Sequence, residues 1–154
     1  MLWLLIALTW LHVLFAILWF GASLTINFMV IPAAGMLPPA EQAAWYHVFS
    51  SKSTLIFAAA GGGTILFGIV RGMAGGVLSS LATPYGLTWV AALVFGIALA
   101  VWGARMTGPG VERLGKSTAT ELVANTARMV QTGRIELAGF AVVFTMMIAM
   151  RFGY

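Results

Sequence analysis

The feature that most constrains this chain is an apolar run from Leu2 to Ile31 that contains no formally charged residue. A helix crosses the ~30 Å hydrocarbon core of a bilayer with about 20 apolar residues, so this run is long enough to span it with tilt or a protruding end. The run lacks the basic start of a signal peptide and exceeds its apolar length. We therefore expect a retained first transmembrane helix, over about residues 2–31.

Three further apolar runs follow, at about residues 54–74, 85–104 and 135–152. Only 8% of the residues are charged and 61% are hydrophobic, whereas soluble domains carry about 25% charged residues. The sequence predicts an all-α membrane protein, a four-transmembrane-helix bundle forming a single domain over residues 1–154. No internal repeat or linker is visible.

The segments between the runs are more polar. Residues 32–51 contain three prolines and predict a loop with a short interfacial helix over about 40–50. The glycine-rich, charged stretch 107–116 predicts a second loop.

A helix start follows that second loop. Thr118 and Glu121 have the spacing of a capping box. We expect an amphipathic helix over 118–134 that continues into the fourth span.

Basic residues are distributed unevenly between the two sides of the predicted bundle. The segments between the first and second spans and between the third and fourth spans carry most of them: Lys52, Arg105, Arg113, Lys116, Arg128 and Arg134. The opposite side has Arg71 and Arg151. The positive-inside rule predicts both termini outside, in a bacterial inner membrane. The formal charge of +4 then reflects topology and lipid, and no nucleic-acid motif is present.

His12 is a polar residue inside the first span. Helical spacing places several small, polar or aromatic residues near the same face: Thr9, Ala16, Trp19, Ser23 and Asn27. We expect this face to point into the bundle. A neutral imidazole there can bind haem iron, bind copper or relay a proton, or be a packed, hydrogen-bonded histidine.

Three consecutive glycines, Gly61, Gly62 and Gly63, lie near the middle of the second span, at a depth broadly similar to His12. A helix face without side chains admits a flat macrocycle. It also permits close helix packing, and the sequence leaves both interpretations open.

Sulfur and imidazole groups elsewhere are secondary metal candidates. Met147, with Met146 and Met150, lies toward the outer end of the fourth span and offers a soft ligand, although methionine commonly serves packing. His47 is expected near the inner interface, too far from His12 to share one metal ion.

Charged residues at the inner ends of the third and fourth spans are predicted to cluster. Arg105, Arg134 and Glu136 are expected to form an ion pair or to meet lipid headgroups, and the arginines can hold a propionate. The absence of aspartate, of a nucleophile beside a base and of a phosphate-binding loop disfavours a hydrolase or a nucleotide-driven pump.

The segment His12 to Gly21, with Trp19-Phe20-Gly21 seven residues after the histidine, resembles the first helix of HemJ/CopD-type membrane proteins. The approach to the second span is similar too, through Tyr46, His47 and Lys52. The resemblance implies a haem b-associated membrane protein with His12 as haem ligand and Lys52 as a matching basic residue. It also implies porphyrinogen oxidation in the HemJ branch, or copper handling in the CopD branch.

The chain departs from the HemJ pattern at two places. Asn27 and Met29 stand where those proteins have a basic residue, and Thr88 and Trp89 stand where they have His and Lys. Haem binding is therefore expected more strongly than oxidase activity.

Three functions remain open at this stage. The leading hypothesis is a haem b-binding protein in electron transfer, with a membrane redox partner. The alternatives are a copper-binding protein that uses His12, His47, Met29 and Met36, and a noncatalytic subunit of a larger complex or homo-oligomer.

Overall fold

A computed structural model of the chain describes residues 2–154. Four long helices account for most of this part, and it contains no β-strand. The helices are α1 (Leu2–Ala34), α2 (Pro39–Ala74), α3 (Pro84–Gly115) and α4 (Ala119–Arg151). Each is long and apolar enough to cross a membrane. The predicted fold class, an all-α four-helix membrane protein, is confirmed.

Each predicted span lies within one of these helices, but the helices are longer than the spans. At 32 to 36 residues they measure about 50 Å, which exceeds a ~30 Å hydrocarbon core. We call the end with the turns at 35–38 and 116–118 the hairpin end, and the end where the chain terminates the terminal end. A short 3-10 helix, Val77–Ser80, lies in the connection between α2 and α3 at the terminal end.

The predicted loop over 32–51 is wrong, because Pro32 does not end α1. Residues Ile26–Val30 form a π-helical turn in which the N–H of Ile31 donates to the carbonyl of Ile26, five residues back. This wider turn accommodates a proline ring that otherwise clashes with the carbonyl four residues before it. After the turn, α2 begins at Pro39 and runs unbroken to Ala74, so the predicted interfacial helix over 40–50 is its first part.

The predicted loop over 107–116 is also wrong, because this glycine-rich, charged stretch is helical to Gly115. A second π-helical turn, Gly103–Thr107, precedes Pro109, and the helix continues to Gly115. In α1 and α3 alike, the π turn begins six residues before the proline.

The predicted helix start at Thr118 is confirmed. The backbone N–H of Thr118 donates to the Glu121 carboxylate at 3.0 Å, and α4 then continues unbroken through the fourth span.

The helices pack in the cyclic order α1–α2–α3–α4, each antiparallel to its neighbours. One buried residue from each forms a layer across the bundle, which we call the central layer: Trp19, Ala60, Leu99 and Phe140. All formally charged residues except Arg71 and Arg151 lie on the hairpin side of this layer. A second buried cluster fills the hairpin end, with Tyr46 and Leu114 almost fully enclosed.

Candidate functional site

A cavity of about 610 Å³ lies between the central layer and the terminal end. All four helices line it, and its walls are mainly apolar. Its volume is typical of a small-molecule or cofactor site, for which about 300–1,000 Å³ is usual. The lining residues with polar side chains are the following: Thr9, His12, Thr64, Arg71, Tyr85 and Arg151, together with the indoles of Trp19 and Trp89.

The imidazole of His12 is held in one orientation on the cavity wall. Its Nδ1 lies 2.8 Å from the carbonyl oxygen of Thr64. Because a carbonyl oxygen only accepts, Nδ1 carries the proton in this hydrogen bond, and in the neutral imidazole Nε2 keeps its lone pair. Metal-ligating histidines are typically held through their other ring nitrogen in this way.

Gly68 makes room for the imidazole. A Cβ at this position would lie 2.9 Å from Cε1 and 3.1 Å from Nδ1 of His12. Those distances are shorter than ordinary van der Waals contact. A glycine one helical turn after Thr64 therefore lets the ring reach the carbonyl that orients it.

The predicted interior face of α1 is confirmed, although it serves two regions. Thr9, Ala16 and Trp19 line the cavity with His12. Ser23 and Asn27 lie beyond the central layer, where they form hydrogen bonds of their own.

The glycines at 61–63 do not line the cavity. A Cβ on Gly61 would meet the Trp19 indole at 3.3 Å, and one on Gly63 would collide with the Phe15 ring. Gly62 is exposed and has no neighbour within 4 Å of such a Cβ. Gly61 and Gly63 therefore serve helix packing, and the glycines of the cavity wall are Gly68 and Gly96.

The arginines at the cavity differ from those predicted from the sequence. Lys52, Arg105 and Arg134 are exposed at the hairpin side and do not line it. Arg71 and Arg151 line it instead.

Arg71 is tied to the wall by two long hydrogen bonds. Its Nη1 donates to the Tyr85 hydroxyl at 3.3 Å and its Nε to the Thr9 hydroxyl at 3.4 Å. Among residues 2–154, no carboxylate lines the cavity. Its formal charges are therefore positive, and they favour an anionic group near the terminal end.

The metal candidates separate into two places. Met147 lines the cavity with His12, and so does Met150. His47 is exposed near the start of α2, and its backbone packs on Gly115. It precedes Thr64 by 17 residues, about 25 Å along the helix, so it lies far from His12. Within residues 2–154, no group of three or more His, Cys, Asp or Glu is placed to hold a metal ion.

Glu136 does not form the predicted ion pair. Its side chain is 2% exposed and accepts hydrogen bonds from Thr107 at 2.7 Å and Ser23 at 3.3 Å. Arg105 and Arg134 point outward, and the one salt bridge within residues 2–154 joins Lys116 and Glu112. The sequence indicates a polar site here, because Glu136 lies just inside an apolar span. It does not indicate the partner, because Thr107 lies in a stretch that was predicted to be a loop.

Comparison with protein-family models, with curated proteins and with solved structures finds no match to this chain. The HemJ/CopD resemblance stays a prediction that rests on the His12 to Gly21 segment.

Proposed function

We propose that the protein binds haem b in the cavity and transfers electrons within the membrane, with His12 as an axial ligand. The observation that carries the proposal is the fixed imidazole on the wall of an apolar cavity of about 610 Å³, whose Nδ1 is engaged by the Thr64 carbonyl, so that Nε2 is left for a ligand bond. Histidine is a common haem ligand. A bound haem supplies a one-electron couple, and the protein supplies the ligand, the orientation and a dry surrounding.

Two arginines and two methionines on the cavity wall suit the other parts of a haem group. Arg71 and Arg151 provide guanidinium groups for carboxylate side chains, which arginine binds in a bidentate way. Met147 and Met150 offer thioethers as a second ligand. With both termini outside, the orientation that the charge distribution favours, the cavity lies in the outer half of a bacterial inner membrane.

Thr88 and Trp89, near the start of α3, favour electron transfer over porphyrinogen oxidation. The indole of Trp89 packs against Gly72, where a Cβ would lie 2.5 Å from its Nε1. Position 89 is therefore occupied by an indole that packs between helices, and the neighbouring Thr88 carries no basic group. The membrane redox partner is part of the proposal, and a noncatalytic role in a larger complex is its alternative.

An absorption spectrum tests the proposal directly. The detergent-purified protein, supplied with haem, is recorded oxidised and after reduction with dithionite. We expect a Soret band that shifts on reduction, its loss in His12→Ala, and no change in His47→Ala, the matched control. A normal haem spectrum in His12→Ala would overturn the assignment of this ligand.

Copper binding is the second candidate, because an imidazole and two thioethers are among the groups that line the cavity. His12, Met147 and Met150 line it, and such soft ligands suit Cu(I). The predicted set with Met29 and Met36 is not assembled, since these side chains are 66% and 86% exposed. Metal analysis separates the candidates: a colourless protein with stoichiometric copper favours this one, and a colourless, metal-free protein favours an accessory subunit.

A further inference from the structure

A second polar site lies on the hairpin side of the central layer, one helical turn from Phe140 and outside the proposed haem site. Its centre is the carboxyl group of Glu136, reached by Ser23 from α1 and Thr107 from α3. Thr107 belongs to one π-helical turn, and Asn27, which donates to the Ser23 carbonyl, belongs to the other. Such turns occur frequently at functional sites.

Within residues 2–154, no cationic side chain pairs with the Glu136 carboxylate. The side chain is 2% exposed, and no Lys, Arg or His within residues 2–154 forms a salt bridge with it. An isolated carboxylate buried in protein is several kcal/mol unfavourable, on the order of the desolvation penalty for one ion. Ionisable residues inside membrane helices are rare and mark ion or proton sites.

Two hydroxyls bond to Glu136, that of Ser23 from α1 and that of Thr107 from α3, whereas α2 supplies no hydrogen-bond partner. The Asn27 amide joins the cluster through Ser23, since it donates to the Ser23 carbonyl. Arg105, two residues before Thr107, and Arg134, two residues before Glu136, have exposed side chains. Nothing titratable or charged on these packed elements compensates the carboxylate.

One buried acceptor of this cluster, the side-chain oxygen of Asn27, has no hydrogen-bond donor. Asn27 donates through Nδ2 to the Ser23 carbonyl at 2.8 Å, but its Oδ1 is buried and has no partner. The Asn27 amide packs against Gly133, one turn before Glu136 on α4. Protonating Glu136 removes the buried charge and adds an O–H donor to a cluster that is short of one.

We propose that Glu136, with Ser23, Thr107 and Asn27, forms a reversible proton-binding site within the membrane bundle. In the binding step, hydronium gives its proton to a carboxylate oxygen, an O–H bond forms and water is released. The site does not depend on haem, since the central layer separates it from the cavity.

Reaction with dicyclohexylcarbodiimide tests the site, because this reagent modifies protonated carboxyl groups in apolar surroundings. The full-length protein in detergent is treated across a pH series, with Na⁺ or with choline, and adducts are located by mass spectrometry. We expect an adduct at Glu136 that declines as pH rises and does not respond to Na⁺. The exposed Glu41 and Glu121 are internal controls without adduct, and Glu136→Gln should lose it.

Infrared spectroscopy of the same protein provides a measurement without reagent access. We expect the C=O band of a protonated carboxyl group, which declines with rising pH and is absent from Glu136→Gln. This result supports the proposal even if the reagent forms no adduct. Absence of the band, or a band and adduct insensitive to pH, would overturn it. Protection by Na⁺ would overturn it in favour of a cation site.

Discussion

The two halves of the bundle solve the same packing problem differently. On the terminal side of the central layer, small wall residues such as Ala16, Gly68 and Gly96 leave a cavity. On the hairpin side, Tyr46 and Leu114 fill the interior. Small inward residues thus leave one half open, and larger inward residues close the other.

The largest expected contrast comes from one chemical change made at two glycines. In Gly133→Ala, the new Cβ collides with the Asn27 amide in the closed half, whereas in Gly62→Ala it meets open space. Overpacking destabilises, and alanine improves helix propensity where it fits, so we expect the unfolding free energies to differ by about 3 kcal/mol. Thermal unfolding in one detergent measures this. Equal midpoints would contradict a closed hairpin half.

A smaller loss is expected when a hydroxyl is removed from the carboxyl site. Thr107→Val deletes the 2.7 Å hydrogen bond to Glu136 and should destabilise by about 2 kcal/mol, because a buried polar group loses its partner. Thr145→Val is the matched control, since the Thr145 hydroxyl donates to its own helix at Ala141 and is exposed. Chemical denaturation in detergent compares them, and identical curves would remove Thr107 from the site.

A third substitution tests how the open half holds His12. Gly68→Ala should displace the imidazole and weaken haem binding about tenfold, which corresponds to about 1.4 kcal/mol. Gly96→Ala also lies on the cavity wall but has no neighbour within 4 Å of its Cβ, so its affinity should stay near that of the wild type. Haem titration followed by absorbance gives both affinities. The prediction fails if the two variants bind alike.

The smallest effect is expected from filling the cavity. Ala92 lines it, so Ala92→Leu places apolar atoms in existing space and should stabilise by about 0.5 kcal/mol. Ala60→Leu, in the central layer at 4% exposure, should have the opposite sign. Unfolding midpoints decide, and a destabilised Ala92→Leu would show that the cavity cannot accept the side chain.

The architecture could be predicted from sequence wherever length and charge decide it. Four apolar runs predicted four helices, and the polar stripe on α1 predicted its interior face. The loops at 32–51 and 107–116 could not be predicted correctly, because prolines in the first stretch and a glycine-rich, charged composition in the second ordinarily indicate a loop. A π turn that absorbs each proline depends on packing that sequence periodicity does not report.

The candidate site was only partly predictable. His12 could be selected because a lone imidazole in an apolar run is conspicuous. Thr64 and Gly68 could not be selected. They act through a backbone carbonyl and through the lack of a side chain, and their role depends on which residue of α1 lies opposite them. Arg71 and Arg151 could be located at the correct end, yet only the structure places them on the cavity wall.

The recurrence of a π turn six residues before a proline in α1 and α3 has a consequence for symmetry. The hairpins α1–α2 and α3–α4 follow one backbone plan that the sequence does not repeat. At equivalent positions of the two turns, Asn27 corresponds to Ala104 and Val30 to Thr107. Each copy therefore carries a polar side chain where the other is apolar. The two turns share a backbone form but differ in chemistry. Thr107 of the second turn donates to the buried Glu136, and Asn27 of the first donates to the carbonyl of Ser23, whose hydroxyl also reaches Glu136.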